Sequence, residues 1–198
     1  MNHFFIYIDV KYFKGVFMNM FCKIGITSAI CAAALFTGCS DDSSSGTPVT
    51  AGMDEAGWRE QCLEIINEYR ATEGVAPLEL ADEDVQWCTV QQAAADLAEN
   101  TPHGHTHMCG IGAQNSGPNF STSWRASATA VVKGFLKIMW EDEKALVTSG
   151  ERDPNKDEDY TYIGHYLNMR NSAYTKLSCG IALTEDGKKA WFNMNFYR

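Results

Sequence analysis

The strongest constraint on the fold is a predicted β-hairpin near the C-terminal end of the chain. In segment 177–183, large apolar residues alternate with smaller or polar ones, which is the period of a half-buried strand. The segment 185–188 contains Asp-Gly, which favours a tight turn because both residues tolerate positive φ. The aromatic run 191–197 is then the returning strand. Because an isolated hairpin is only marginally stable in water, we expect it to belong to a larger sheet.

Three helices are predicted upstream of the hairpin. Apolar residues recur at helical spacing in segments 54–72, 82–100 and 126–147. The segment 103–124 is rich in Gly, Ser, Asn and Pro and is predicted to be a long loop, of a kind that is usually functional or disordered. A short strand is predicted at Gly164-His165. Helices on both sides of a small sheet would bury these apolar stripes, so the fold class is predicted to be α+β.

The N-terminal segment has the features of an export signal. Residues 24–36 form an apolar run that follows Lys23 and is too short for a comfortable permanent membrane span. The run leads into Cys39 through a sequence that resembles the lipobox of bacterial lipoproteins, in which the cysteine is lipidated and becomes the new N-terminus. An ordinary secreted protein cut near Gly38, or an uncleaved anchor, is the alternative.

We therefore expect three regions along the chain. Residues 1–38 are predicted to be a signal peptide, with an over-long start before its internal methionines. Residues 39–52 are predicted to be the lipidated cysteine and a flexible, polar tether. Residues 53–198 are predicted to be one domain, placed in the cell envelope outside the cytoplasm. The expected membrane contact is the lipid on Cys39.

The charge of the chain argues against a nucleic-acid partner. The formal net charge is −9, and the predicted signal peptide contains more lysine than acidic residues, so the remaining domain is more negative still. Phosphate backbones require a basic surface. We therefore expect no nucleic-acid binding.

Four cysteines remain once the predicted signal peptide and Cys39 are set aside. The chain has seven cysteines, and an even number in an exported domain favours two disulfides. Close Cys-x-x-Cys pairs, which a cysteine-based metal site needs, do not occur. Of the three possible pairings, we favour Cys62 with Cys88 and Cys109 with Cys179.

Several motifs resemble one known superfamily. The segment 65–70, Ile-Ile-Asn-Glu-Tyr-Arg, with Gly74-Val75-Ala76-Pro77-Leu78 is similar to the opening helix and turn of the cysteine-rich secretory protein, antigen 5 and pathogenesis-related superfamily, the CAP or SCP domain. Gly164-His165-Tyr166 matches its signature, as does the spacing to Leu177 and Cys179-Gly180. The chain resembles the bacterial lipoprotein branch of this superfamily more than its eukaryotic members. The resemblance implies a three-layer α-β-α sandwich with a small antiparallel sheet and a cavity lined by two histidines and two acids.

The resemblance also implies which histidines line the cavity. His165 is expected to be the second histidine, because it lies in the Gly-His-Tyr signature. His103 is expected to be the first, because it directly follows the second helix. Since the length of that loop varies in the superfamily, His105 and His107 are the alternatives.

One of the two expected acids is replaced in this chain. Gln114 stands where the superfamily carries an acidic cavity residue. Asp142 is expected to be the second acid, with its neighbours Glu141 and Glu143 as alternatives. We therefore expect His103, Gln114, Asp142 and His165 to line the cavity.

The expected function is ligand binding rather than catalysis. His103 and His165 could together bind a divalent metal such as zinc through their imidazole nitrogens. A metal-assisted hydrolase using the same histidines is less favoured, because glutamine cannot accept a proton as glutamate does. The alternatives are therefore a binding module for a lipid-like or other small molecule, that hydrolase, and a structural envelope protein.

The alternating histidines of segment 103–107 allow a separate metal hypothesis. In an extended segment, alternate side chains point to the same side. A solvated loop is the interpretation that we favour for this segment.

Overall fold

The computed structural model describes residues 55–198, so the signal peptide, Cys39 and the tether predicted for residues 1–52 lie outside the described residues. The helices are α1 (Trp58–Ala71), α2 (Glu83–Glu99), α3 (Ala128–Lys137), α4 (Glu143–Thr148) and α5 (Tyr160–Arg170). The strands are β1 (Glu79–Leu80), β2 (Ala113–Ser121), β3 (Lys176–Leu183) and β4 (Lys189–Tyr197). Within residues 55–198, no helix combines the length and apolarity that a membrane span requires.

The four strands form one sheet in the order β1-β3-β4-β2. Strands β3 and β4 are the predicted hairpin, with Cys179 opposite Met194, and β2 pairs antiparallel with the outer side of β4. Strand β1 pairs with β3 in parallel, so the sheet is mixed at one edge. Helix α2 covers one face of the sheet, while α1, α3 and α5 lie on the other side. The predicted α+β class and its three-layer α-β-α arrangement are confirmed.

The face of the sheet opposite α2 carries the main apolar core. Alternate residues of β3 and β4 contribute Leu177, Phe192 and Phe196, all of which are fully buried. Helix α3 supplies an apolar stripe, and its start is capped by the Ser127 side chain, which accepts from the amide of Ala130. Side chains two residues apart along these strands therefore share one core.

The face towards α2 is buried as well, but it is largely polar. Ser178, Asn193 and Asn195 are completely buried there. The prediction that the hairpin strands are only half-buried is therefore wrong, because both faces of the hairpin are covered. A glycine allows α2 to approach closely: a Cβ at Gly180 would lie 2.6 Å from the backbone of Thr89.

Three local predictions are wrong. The predicted loop 103–124 contains β2, which pairs with β4 although its sequence is rich in polar residues, glycine and proline. The strand predicted at Gly164-His165 is part of α5 instead. The third predicted helix is interrupted, because a π-helical turn at Ile138–Asp142 separates α3 from α4.

The predicted disulfide pairing is also wrong. Cys62 pairs with Cys179, and Cys88 pairs with Cys109. Cys62 lies on α1 and Cys88 on α2, and these helices lie on opposite sides of the sheet, so the two cysteines cannot meet. Each cysteine pairs instead with the partner on its own side: Cys179 on the strand beneath α1, and Cys109 in the loop that follows α2.

A partly buried carboxylate joins the end of α1 to α4 and α5. Glu73 accepts a hydrogen bond from the hydroxyl of Tyr166 at 2.6 Å and faces Lys144 and Arg170, each at 3.0 Å. Burial opposes its ionisation, but the hydrogen bonds from Tyr166 and Lys144 and the two positive charges outweigh burial and lower the pKa of Glu73. Burial, together with this hydrogen bond, raises the pKa of Tyr166 to about 12.

We predict that Glu73→Gln lowers the free energy of unfolding at neutral pH and makes that free energy less sensitive to acid. The lowered pKa of Glu73 means that its contribution is complete above the unfolded-state pKa and disappears as the pH falls through the folded-state pKa. Urea unfolding at pH 7 should show a loss of about 1–3 kcal/mol. Between pH 5 and pH 3, the variant should lose less stability than the parent. Glu79→Gln, at an exposed position, is the control, and equal acid sensitivity in Glu73→Gln and the parent would contradict the prediction.

Candidate functional site

An open pocket of about 740 Å³ lies between the loop after α2, the start of β2 and helix α5. Its lining combines imidazoles, amides, hydroxyls and tyrosine rings. Within the described part of the chain, no Asp, Glu, Lys or Arg lines it. The lining residues are His103, Thr106, His107, Ile111, Gly112, Ala113, Gln114, Tyr160, Thr161, Gly164, His165, Asn168 and Tyr174.

His103 is held in an unusual backbone conformation at the pocket. Its φ is 61°, in the left-handed region that residues other than glycine rarely adopt. Such a conformation costs on the order of 1–3 kcal/mol and persists only where surrounding contacts enforce it. One such contact is direct, because His103 Nδ1 lies 2.8 Å from Gln114 Oε1.

The orientation of the Gln114 amide determines the tautomer of His103. Gln114 Nε2 donates to Asn195 Oδ1 at 3.1 Å, and Asn195 Nδ2 in turn donates to Gln92 Oε1 at 2.7 Å. This chain of buried amides places the Gln114 oxygen towards the ring, so His103 Nδ1 carries the hydrogen. The atom of His103 that can accept from a ligand is therefore Nε2.

His165 lies on α5 and is fixed by a carboxylate. Its Nδ1 is 2.6 Å from Glu143 Oε1, and Glu143 Oε2 accepts from the backbone amide of Tyr166 at 2.9 Å. The backbone oxygen of His165 accepts from Asn115 Nδ2 at 3.0 Å. The ring is thus oriented through Nδ1, and Nε2 is again the atom left for a ligand.

Asp142 is not the second acid of the cavity. It is exposed and does not line the pocket, whereas Glu143 contacts His165. The π-helical turn at Ile138–Asp142 holds more residues per turn than an α-helix, which displaces the side chains that follow it. Glu141 points elsewhere and accepts from the hydroxyl of Tyr69 at 2.8 Å.

The alternating histidines do not share one side of an extended segment. His103 contacts Gln114, whereas His105 Nδ1 lies 2.9 Å from Asp96 Oδ1 behind the loop. His107 belongs to a 3₁₀ turn at Thr106–Met108 and lines the pocket. The left-handed residue and the 3₁₀ turn break the alternation, so the extended-segment hypothesis is wrong.

Four further pocket residues come from α5 and the segment after it. Tyr160, Thr161 and Asn168 follow a helical spacing with His165, which places them on one side of α5, and Tyr174 lies just beyond. This three-to-four-residue spacing is the sequence signal that could have identified them. It has meaning only in a helix, so the predicted strand at Gly164-His165 conceals it.

The donor set suits a divalent metal only in part. Each of the two histidines has Nε2 for coordination, with Glu143 supporting His165 from behind. However, Gln114 supplies a neutral amide, and no group of three or more His, Cys, Asp or Glu side chains within residues 55–198 is placed to hold an ion. Closed structural zinc sites use four protein ligands, so this arrangement offers at most an open, two-imidazole site.

The fold and the site together define a CAP-type domain. The model of the Cysteine-rich secretory protein family matches residues 63–196. The chain therefore belongs to the Cysteine-rich secretory protein family. No curated protein matches the chain.

Solved structures that match with a TM-score above 0.5 show the same fold at low sequence identity. The chain is similar to NaASP2, solved with Zn²⁺, at 16% identity and a TM-score of 0.53, covering 80% of this chain and 83% of that one. It is similar to Na-ASP-1 at 17% identity and a TM-score of 0.51, covering 77% of this chain but only 41% of that one. An extracellular SCP-domain protein of Bacillus anthracis str. Ames matches at 16% identity and a TM-score of 0.41, covering 73% and 41%.

We predict that Gln114→Glu destabilises the protein at pH 7. The introduced carboxylate would face Asn195 Oδ1, and Asn195 cannot turn without losing its bond to Gln92. Two acceptors in contact in a buried site should cost about 1–3 kcal/mol. Because Gln114 is 6% exposed, burial should raise the pKa of the introduced group, so the deficit should shrink as the pH falls towards 5.

Denaturant unfolding at both pH values measures this effect. Gln114→Met is the matched control, because it removes the same hydrogen bonds without adding an acid, and its deficit should not depend on pH in this way. A Gln114→Glu protein that is as stable as the parent at pH 7 would contradict the assigned orientation of the amides.

Proposed function

We propose that the protein is a lipid-anchored binding module of the cell envelope, whose pocket takes an uncharged small molecule. One observation carries the binding proposal: His103 and His165, from segments far apart in the chain, line the same pocket and are each held through Nδ1. Oriented imidazoles in an open, largely preformed pocket are typical of specific recognition. The absence of charged residues from the described lining favours a neutral ligand.

The same geometry favours binding over hydrolysis. A hydrolase needs a group that accepts a proton from water, and Gln114 cannot do so. Glu143 is the nearby carboxylate, but both of its oxygens already accept hydrogen bonds, from His165 and from the amide of Tyr166. The metal-assisted hydrolase is therefore a less favoured alternative. A second alternative is that His103, His165 and their hydrogen-bond partners have a purely structural role.

A divalent metal in this pocket is a second candidate. It is supported by the two Nε2 atoms and by the carboxylate behind His165, an arrangement common among histidines that bind metals. The similar protein NaASP2 was solved with Zn²⁺. In this chain the metal would be held by His103 and His165, with water completing its coordination.

The proposed location combines two features. Disulfides such as Cys62–Cys179 and Cys88–Cys109 are typical of exported proteins, because the cytosol keeps thiols reduced. The sequence around Cys39 supplies the proposed lipid anchor, and the polar segment 39–52 would hold the domain away from the membrane.

We predict that Glu143→Gln and His165→Ala abolish ligand capture without unfolding the protein. The test incubates purified protein with a neutral-lipid extract and a mixture of neutral sugars and then uses native mass spectrometry. A mass adduct should appear on the parent and be lost from both variants. Asp142→Asn is the matched control, because this exposed residue adjoins Glu143 and does not line the pocket. An adduct that persists in both variants, or variants that simply fail to fold, would support the structural alternative.

We predict that Cys39→Ala removes lipidation and membrane association. Cells that express the parent should incorporate an alkyne fatty-acid analogue into the protein, and the label should be absent from the variant. Cys31→Ala is the control, because it lies within the predicted signal peptide. Equal labelling of parent and Cys39→Ala would contradict the lipoprotein assignment.

A further inference from the structure

We propose that His105 and Glu99, oriented by the buried Asp96, form a binding site for a divalent transition metal of the zinc class. The site lies at the C-terminal end of α2. Its two proposed ligands, His105 and Glu99, do not belong to the pocket lining, although the neighbouring His107 does. The site gives a role to a buried carboxylate that pocket binding does not use.

Asp96 is built to orient His105. The Asp96 side chain is 0% exposed, and its Oδ1 atom lies 2.9 Å from His105 Nδ1 and accepts from the His105 backbone amide at 3.1 Å. Its Oδ2 atom accepts from Asn193 Nδ2 at 2.8 Å. Because the carboxylate binds Nδ1–H, the lone pair of the ring is on Nε2. Metal-binding histidines commonly have such a carboxylate behind them, which fixes the tautomer and makes the ligand more basic.

The spacing of the two proposed ligand atoms suits a shared ion. His105 Nε2 lies 3.6 Å from Glu99 Oε1, which is longer than a hydrogen bond. Two donors that each lie about 2.1 Å from a tetrahedral zinc ion are ~3.4 Å apart. The Glu99 side chain is 65% exposed, so it can adjust by that difference and the site is open to solvent.

His107 is the nearest candidate for a third ligand. Its ring centroid lies 6.1 Å from that of His105. Because no three ligand side chains within the described residues are already in coordinating positions, His107 would have to rotate, or water would complete the shell. We therefore expect micromolar rather than nanomolar affinity, and the order typical of imidazole sites, with copper and zinc above manganese.

The loop that carries His105 is held firmly enough to present it. Gln92 Nε2 donates to the backbone oxygen of His105 at 2.8 Å, and the disulfide Cys88–Cys109 ties the far end of the loop to α2. Glu99 lies in the last turn of the same helix. Both ligands are thus positioned by α2, so an ion would meet two donors that already lie close together.

Isothermal titration of metal-free purified protein with Zn²⁺ tests the proposal. Glu99→Gln should weaken binding at this site at least tenfold, and His105→Ala should abolish it. Glu83→Gln, at an exposed position in the first turn of α2, is the matched control and should bind as the parent does. Because Glu99 is exposed, its variant should fold normally even if His105→Ala does not.

A variant of His165 distinguishes this site from the metal site in the pocket that is considered above. His165→Ala should leave the His105 site intact, and Co²⁺ added to the parent should broaden the NMR signals of His105 more than those of His165. Absence of Zn²⁺ binding by the parent would overturn the proposal. Binding that is lost in His165→Ala but unchanged in Glu99→Gln would also overturn it and would place the metal in the pocket.

Discussion

The buried polar layer between α2 and the sheet is the interaction on which the rest of the structure depends. The α2 side chains Thr89, Gln92 and Asp96 are all completely buried, and they hydrogen-bond to Asn195 and Asn193 of β4. An unpaired polar group in such a layer would cost about 1–3 kcal/mol. An apolar interface would tolerate small shifts of the helix, whereas these directional bonds are satisfied together in one position. The layer therefore fixes where α2 lies on the sheet.

Both proposed sites are extensions of this layer. At one end, Asn195 accepts from Gln114, whose oxygen then holds His103 in its left-handed conformation. At the other end, Asn193 and Asp96 hold His105. The two histidines are two residues apart, yet they are held by different elements and point to different places. The loop after α2 can therefore be irregular and still present its side chains reproducibly, because its contacts are to rigid elements.

The local sequence pattern predicts part of this structure. It fails where contacts between distant segments of the chain determine the local structure. The C-terminal hairpin, α1 and α2 follow from periodicity, and His103, Gln114 and His165 follow from the motifs of the superfamily. Strand β2 is missed because the side chains that it buries, such as Asn115 and Ser116, are polar and take partners from other elements. The disulfide pairing requires knowledge of which side of the sheet each helix covers. Asp142 is predicted in place of Glu143 because an insertion of π-helix in a helical pattern leaves no clear signal in one sequence.

The distribution of charge distinguishes the two sites. In the pocket, one histidine faces the carboxylate of Glu143 and the other faces the neutral amide of Gln114, so a bound dication would be offset by one formal negative charge. At the end of α2, His105 lies between Asp96 and Glu99, which together supply two formal negative charges. A cation loses hydration when it binds, and nearby negative charges offset that cost. The site at the end of α2 has more of these charges, so it is the better site for a metal. The pocket, with the glutamine in place of an acid, is correspondingly better suited to an uncharged ligand.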